Sequence, residues 1–266
     1  MFDFEEAFKL VAKQTVLCVG DLMLDDFVYG EVTRISPEAP TPVLAVRHSA
    51  IEIGGAGNVA RNIASLGSKC ILVSLIGNDE AGLTLTNALG KFNGLIVPDL
   101  VIDKARQTTR KVRFVSEHHS THLMRADWET TAPTSAHSED SIIASAETTM
   151  PQVGAVVLSD YAKGTLTPRV IRAIIDAARR CGKPVVVDPK GHDYSVYRGA
   201  TLITPNRQEL GAAVHRPVTT GAEIAKAASE LAPLDGSPAT VDVVDGRASL
   251  EVALPRQAVS LLVIEW

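Results

Sequence analysis

A glycine cluster and several sets of polar residues that close apolar runs carry the chemistry of this chain. Gly54-Gly55-Ala56-Gly57-Asn58 leads without a break into Val59-Ala60-Arg61-Asn62-Ile63-Ala64-Ser65-Leu66-Gly67, so bare backbone stands at the start of an amphipathic helical pattern. The first amides of a helix have no intrahelical acceptor, and glycine lets a ligand approach them, which suits an anion or a ring of hydroxyls. Asn58 adds a side-chain amide in the first turn. Asp21 and Asp25 in Gly20-Asp21-Leu22-Met23-Leu24-Asp25 follow an apolar run and are acceptors for sugar-type hydroxyls, with a solvated turn or helix cap as the plain alternative. Ser159-Asp160-Tyr161-Ala162-Lys163-Gly164, Asp188-Pro189-Lys190-Gly191 and Pro205-Asn206-Arg207-Gln208-Glu209 each follow another short apolar stretch. Polar ends on successive strands outline a cleft.

Charge and spacing sort the remaining candidates. In Thr108-Thr109-Arg110-Lys111-Val112-Arg113 a period of two puts Thr109, Lys111 and Arg113 on one face, able to meet a phosphorylated substrate, or else to guard a strand edge against aggregation. Gly55-x-Gly57-x-x-Ala60 with Asp79 downstream formally fits a dinucleotide fingerprint and an oxidoreductase. The residues before it, Arg47-His48-Ser49-Ala50-Ile51-Glu52, are polar where that fold needs a buried parallel strand. No Gly-x4-Gly-Lys-Ser/Thr loop occurs. His118, His119 and His122 do not make a zinc set, because alternation splits the adjacent pair and no third convergent ligand follows.

The elements that must hold these groups read as alternating strands and helices. Apolar runs at 15–20, 71–76, 95–101, 155–158, 184–187 and 201–204 alternate with helical patterns, which calls for a mostly parallel sheet. Partly polar stretches at 27–33 and 43–48, interrupted by Pro37, Pro40 and Pro42, leave that sheet as a flap joined by strands near 107–116 and 119–125. Thr167-Pro168 starts a helix to about Arg180 with Thr167 as N-cap. The 266 residues carry a net charge of −5, which gives no support to a nucleic-acid or anionic-membrane partner. Cys18, Cys70 and Cys181 form no Cys-x-x-Cys and are expected as inert core residues in a reducing cytoplasm. The start of the chain is acidic and amphipathic, unlike a signal peptide, and no apolar run reaches the ~20 residues of a membrane span.

Taken as a set, Gly-Asp-x-x-x-Asp, Gly-Gly-x-Gly-Asn-x-Ala-x-Asn with Gly67 and Gly77 downstream, Ser-Asp-Tyr-x-Lys-Gly, Asp-Pro-Lys and Thr-Pro-Asn-x-x-Glu resemble the ribokinase-like (PfkB) sugar kinases. Arg34-Ile35-Ser36-Pro37-Glu38-Ala39-Pro40, the run Leu158 to Leu166 and Tyr197-Arg198-Gly199-Ala200-Thr201-Leu202 are similar to the heptose 7-phosphate kinases within that family. The resemblance covers about 12–232. It implies a three-layer α/β/α sandwich with a mostly parallel central sheet and a small β-lid, in a kinase domain over 1–233. It implies a bacterial, cytoplasmic enzyme that uses ATP and Mg²⁺ to phosphorylate the anomeric hydroxyl of heptose 7-phosphate, with a homodimer formed through the lid. Asp21, Asp25, Gly54, Gly55 and Asn58 would hold the sugar, and Lys111 and Arg113 its phosphate. Asp160, Lys163, Lys190 and Asn206 would lie toward the nucleotide phosphates, while Glu209 with Asn206 organises Mg²⁺ through water.

From about Leu234 the pattern departs. The Thr-x-Gly-x-x-Gly strand and the Gly-Ala-Gly-Asp helix start that this family uses for its anion hole and aspartate base do not occur in 234–266. Asp245 in Asp245-Gly246 is the nearest imitation of the base. No second domain follows within the sequence, and a truncated or frameshifted reading frame accounts for the abrupt change. The expectation is an incomplete C-terminal part of the fold, a sugar half that is intact and a catalytic half that is not. A catalytically inactive sugar-phosphate-binding protein of kinase descent is therefore the alternative to an active kinase.

Overall fold

The computed structural model describes residues 4–118, 121–231 and 260–261. In chain order the elements are α1 (Phe4–Val11), β1 (Thr15–Gly20), β2 (Leu22–Ile35), β3 (Pro42–Gly55), α2 (Ala56–Ser65), β4 (Lys69–Gly77) and α3 (Glu80–Leu89). Then come β5 (Ile96–Asp103), β6 (Arg110–Ser116), β7 (Thr121–Trp128), α4 (Ala136–Thr149), β8 (Ala155–Ser159), α5 (Pro168–Arg180), β9 (Val185–Asp188), β10 (Leu202–Ile203), α6 (Arg207–Ala213), α7 (Gly221–Leu231) and β11 (Ser260–Leu261).

Two sheets divide these strands. The main sheet has the order β11-β10-β9-β8-β1-β4-β5 and all its pairings are parallel. β1 and β4 are buried nearly end to end, as expected where helices cover both faces. Ala60, Ala64, Leu85 and Leu89 from α2 and α3 pack into one core. Ile142, Ala146, Val170, Ile171, Ile174 and Ile175 from α4 and α5 build a second core with Leu17, Val19, Leu158 and Val187. The result is the expected three-layer α/β/α sandwich. Local chemistry sets the ends: the Thr167 hydroxyl accepts from the Val170 amide with Pro168 at the first turn of α5, and Gly67 at φ +85° stops α2.

The second sheet is the lid, ordered β3-β2-β6-β7, with β2 and β3 antiparallel, β2 and β6 parallel, and β6 and β7 antiparallel. β2 and β3 are longer than the flap read from sequence, because the polar stretch Arg47–Glu52 continues as strand to Gly55. This overturns the dinucleotide alternative: Gly55-x-Gly57 follows an antiparallel lid strand, not a buried parallel one. Asp79 is spent locally, one oxygen accepting from Gly82 N–H (2.8 Å) and the other from Thr108 N–H (2.8 Å). One smaller expectation also changes. Cys18 and Cys70 are buried in neighbouring strands, but Cys181 is exposed, because it caps the end of α5.

Asp245 lies outside the described residues, as does His119. Ser260–Leu261 adds to the sheet beside β10. Among the described residues no helix is long and apolar enough to cross a membrane, and no three His, Cys, Asp or Glu side chains are grouped to hold a metal.

Candidate active site

The chain runs outward from β1 to β4 and β5 on one side, then returns to β8, β9 and β10 on the other. The strand order therefore reverses between β1 and β8, and the carboxyl ends of those two strands open a crevice. Gly20 lies beside Ser159 in that register, so the residues that follow, Asp21 and Asp160, share the crevice floor.

Asp21 is 1% exposed. Its carboxylate accepts backbone N–H bonds from Tyr161 (2.8 Å), Lys163 (3.0 Å) and Thr165 (3.0 Å), three alternate residues of the loop after β8. The loop wraps this charge, so Asp21 positions the loop rather than presenting oxygens to a sugar. Spacing could not show that these donors would come from a loop 140 residues away.

Asp25 is placed differently. It lies on β2 opposite Lys111 of β6, and Phe27 lies opposite Arg113, so these residues share the lid face that alternation predicts. A side chain on Gly54 would collide with the Asp25 carboxylate, which places that carboxylate directly over the glycine backbone. Gly55, at φ +59°, turns the chain from lid into α2, and Asn58 is exposed in the first turn of that helix. Arg113 is not free: it ion-pairs with Asp25 and stacks over the Phe27 ring at 5.1 Å. Lys111 has no ion-pair partner among the described residues and is the cation this face leaves available. Farther out, a cavity of about 410 Å³ is lined by Phe27, Tyr29, His48, Val115, Glu117 and His122.

On the other side of the crevice the strand ends form a linked polar cluster. The Tyr197 hydroxyl donates to Asp160 (2.6 Å), whose other oxygen accepts from Ala162 N–H (2.7 Å). Burial raises the Asp160 carboxyl against the lowering effect of these bonds. Burial, then the Glu209 carboxylate, push Asp188 up to about 6, opposed by Lys190. Lys190 pairs with Glu209 at 3.1 Å, and Lys163 with Glu129 at 2.8 Å. Asn206 and Glu209 form a capping box on α6: Asn206 Oδ1 accepts from Glu209 N–H, and Glu209 Oε2 from Asn206 N–H, each at 3.0 Å. The expected phosphate and metal residues thus do converge, but each already has a protein partner. The Asn-x-x-Glu spacing is also that of a helix N-cap and its third residue, which is why both readings fit one pattern. Sequence reasoning named Asp188 as a strand end and Tyr197 within a resembling run without giving either a role, and it passed over Arg106 and Glu129, which stand in no motif.

Comparison with known proteins gives the geometry a context. The sequence profile described as pfkB family carbohydrate kinase matches residues 13–237. The chain is 54% identical over 265 residues to a bifunctional protein HldE of Rhodopseudomonas palustris, covering 100% of this chain and 52% of that protein. It is 56% identical over 250 residues to the protein of the same name from Nitrobacter hamburgensis, covering 94% and 49%. The chain thus spans about half the length of the curated relatives it matches. Among solved structures, phosphofructokinase-2 from Escherichia coli in complex with fructose-6-phosphate aligns with a TM-score of 0.65 at 23% identity, over 83% of this chain and 70% of that one. The tetrameric inhibited form of the same protein aligns at 0.62 with 24% identity, over 82% and 69%.

Proposed function

Because the chain belongs to the pfkB carbohydrate kinase family, we propose that its crevice transfers a phosphoryl group from ATP to the anomeric hydroxyl of D-glycero-D-manno-heptose 7-phosphate. The product is the 1,7-bisphosphate, a precursor of ADP-heptose for lipopolysaccharide in a bacterial cytoplasm. The observation that carries this reading is the inner lid face, where a carboxylate over bare glycine backbone stands beside an unengaged ammonium. A sugar phosphate offers the matching hydroxyls and charge. The resemblance of the Arg34–Pro40 and Leu158–Leu166 runs and the HldE relatives support the heptose.

In this reading Asp25, Gly54, Gly55 and Asn58 hold the hydroxyls, and Lys111 meets the 7-phosphate. Arg113, tethered by Asp25 and Phe27, keeps that carboxylate oriented and adds positive field. Asp160, Lys163, Lys190 and Asn206 face the nucleotide phosphates. Magnesium fits the oxygen-rich donor set at Asp188, Asn206 and Glu209, since it keeps several waters and takes only one or two carboxylates. Burial first, and the Glu209 carboxylate second, raise the Asp188 carboxyl, and a divalent cation beside it would favour its charged form. When bound, that ion neutralises charge on the transferring phosphates. The protein's own part is alignment and preorganised charge rather than covalent chemistry.

A second reading is favoured by the sequence of 234–266, where the Gly-Ala-Gly-Asp segment is missing: a kinase-derived protein that binds the sugar phosphate without turning it over. Calorimetric titration with heptose 7-phosphate, ATP and NAD separately, followed by an ADP-release assay, tests both. Binding of the first two with ADP release, lost in Asp245→Asn, supports the kinase with Asp245 as base. Binding of the sugar phosphate without ADP release supports the second reading, and NAD binding alone would overturn both. The kinase unit is taken as 1–233. The outer lid face, with Val46, Ile51, Met124 and Trp128 exposed, suits a homodimer formed lid to lid.

A further inference from the structure

Arg106 belongs to none of the sequence motifs, yet the lid and the loop after β8 meet at its side chain. It lies in the segment that enters the lid between β5 and β6. Its guanidinium donates to the carbonyls of Thr130 (2.7 Å) and Ala132 (3.1 Å), in the segment that leaves the lid after β7. It also donates to the carbonyl of Lys163, inside the loop. The packing here is tight: Gly164 has φ +93°, and a Cβ on it would stand 2.7 Å from both the Ala132 oxygen and the Arg106 guanidinium. A second link runs alongside, from Lys163 Nζ to Glu129 at 2.8 Å.

The loop is held just as firmly from below. Asp21 takes three of its amides, and Ala162 is kept at φ +54°, a conformation a non-glycine residue holds only under constraint. From the loop a polar path continues through Asp160 to the Tyr197 hydroxyl, which accepts from Lys190 N–H at 3.2 Å, and from Lys190 to Glu209. The lid is thus joined to the phosphate side of the crevice by an unbroken chain of bonds.

We propose that Arg106 is a positioning residue that couples the lid to the loop 161–165, so that a sugar phosphate seated on the lid rearranges the loop carrying Lys163. The ligand named here rests on the sugar-kinase reading; the coupling element rests on the geometry alone. A guanidinium holds three carbonyls from two segments in a fixed fork, so displacing the lid exit must move the loop or break those bonds. The link consists of direct hydrogen bonds from one side chain to both segments.

Hydrogen exchange read by mass spectrometry on the 266-residue chain tests it, with and without heptose 7-phosphate. Without ligand, Arg106→Ala is expected to speed exchange in 129–134 and 161–165 together by about 10-fold or more, leaving β1 and β8 unchanged. Arg106→Lys, a single point donor that serves as the check should the alanine variant not fold, is expected to give a smaller rise in the same segments. In the unaltered chain the sugar phosphate is expected to slow exchange in β2, β6 and 161–165. In Arg106→Ala it slows only the lid strands, while the calorimetric Kd moves by less than about 3-fold, a split that a purely structural role would not produce. Glu129→Gln removes the ion pair but keeps the carbonyl bonds, and is expected to retain the loop response. Unchanged ligand-free exchange at 161–165 in both Arg106 variants, or a full ligand response of that loop in Arg106→Ala, would overturn the coupling. If the lid of the unaltered chain ignores the sugar phosphate, the substrate reading fails, and the ligand-free comparison still decides the coupling.

Discussion

Asp25 and Asp21 sit on the same short motif, and their surroundings give them different work. Asp25 balances Arg113 on the lid face and keeps oxygen over the glycine backbone, so Asp25→Ala is expected to weaken heptose 7-phosphate binding by about 1–3 kcal/mol, as is Asn58→Ala. Calorimetry checks this, and unchanged affinity in both variants would remove them from the site. Lys111→Gln is expected to weaken the sugar phosphate far more than the free sugar, whereas equal loss for both would mean that Lys111 only guards a strand. Asp188 allows a pH test. Its carboxyl is pushed up to about 6 in the fold against 3.8 for a free aspartate, so the folded state binds the extra proton between those values. This group therefore costs stability above its folded value, and the cost disappears as the pH falls toward the unfolded one. Thermal unfolding of Asp188→Asn is expected to show a gain over the parent at about pH 8 that fades by about pH 4. A gain independent of pH would place the effect in packing instead.

At the scale of elements, the loop after β8 is the segment whose shape depends most on distant partners. Asp21→Asn replaces one of two charged acceptor oxygens by a donor facing N–H groups, and is expected to cost at least ~2 kcal/mol in denaturant unfolding. Gly164→Ala adds a side chain where φ is +93° and the Ala132 carbonyl leaves no room, and is expected to cost about 1–3 kcal/mol. Either variant unfolding like the parent would mean that the loop is held some other way. The strand and helix pattern was legible because burial on both faces, caps such as Thr167 and stops such as Gly67 are local signals. The reach of β3 was not, because Arg47–Glu52 is polar and is held as strand by pairing with β2.

At the scale of the molecule, the lid has two unlike faces. Asp25, Lys111 and Arg113 lie on one, while Trp128 and Met124, opposite Arg110 and Phe114, occupy the other and are 44% and 57% exposed. Replacing both by Glu is expected to weaken self-association about 10-fold or more in sedimentation measurements, with the thermal unfolding midpoint nearly unchanged. A parent chain that sediments as a monomer would dispose of the lid-to-lid dimer. The sequence by itself determined the three-layer class, the alternation that gathers cations on one lid face, and the set of strand-end residues that must line a crevice, because periodicity and strand-end position are properties of neighbouring residues. Only the tertiary structure decided what each of those residues is free to do. Asp21 is consumed by loop amides, Glu209 by its own helix cap and Lys190, and Lys163 by Glu129, while Arg106 joins the lid to the loop. Hydrogen bonds between segments distant in the chain depend on how the sheet order folds back on itself, and no local pattern records that.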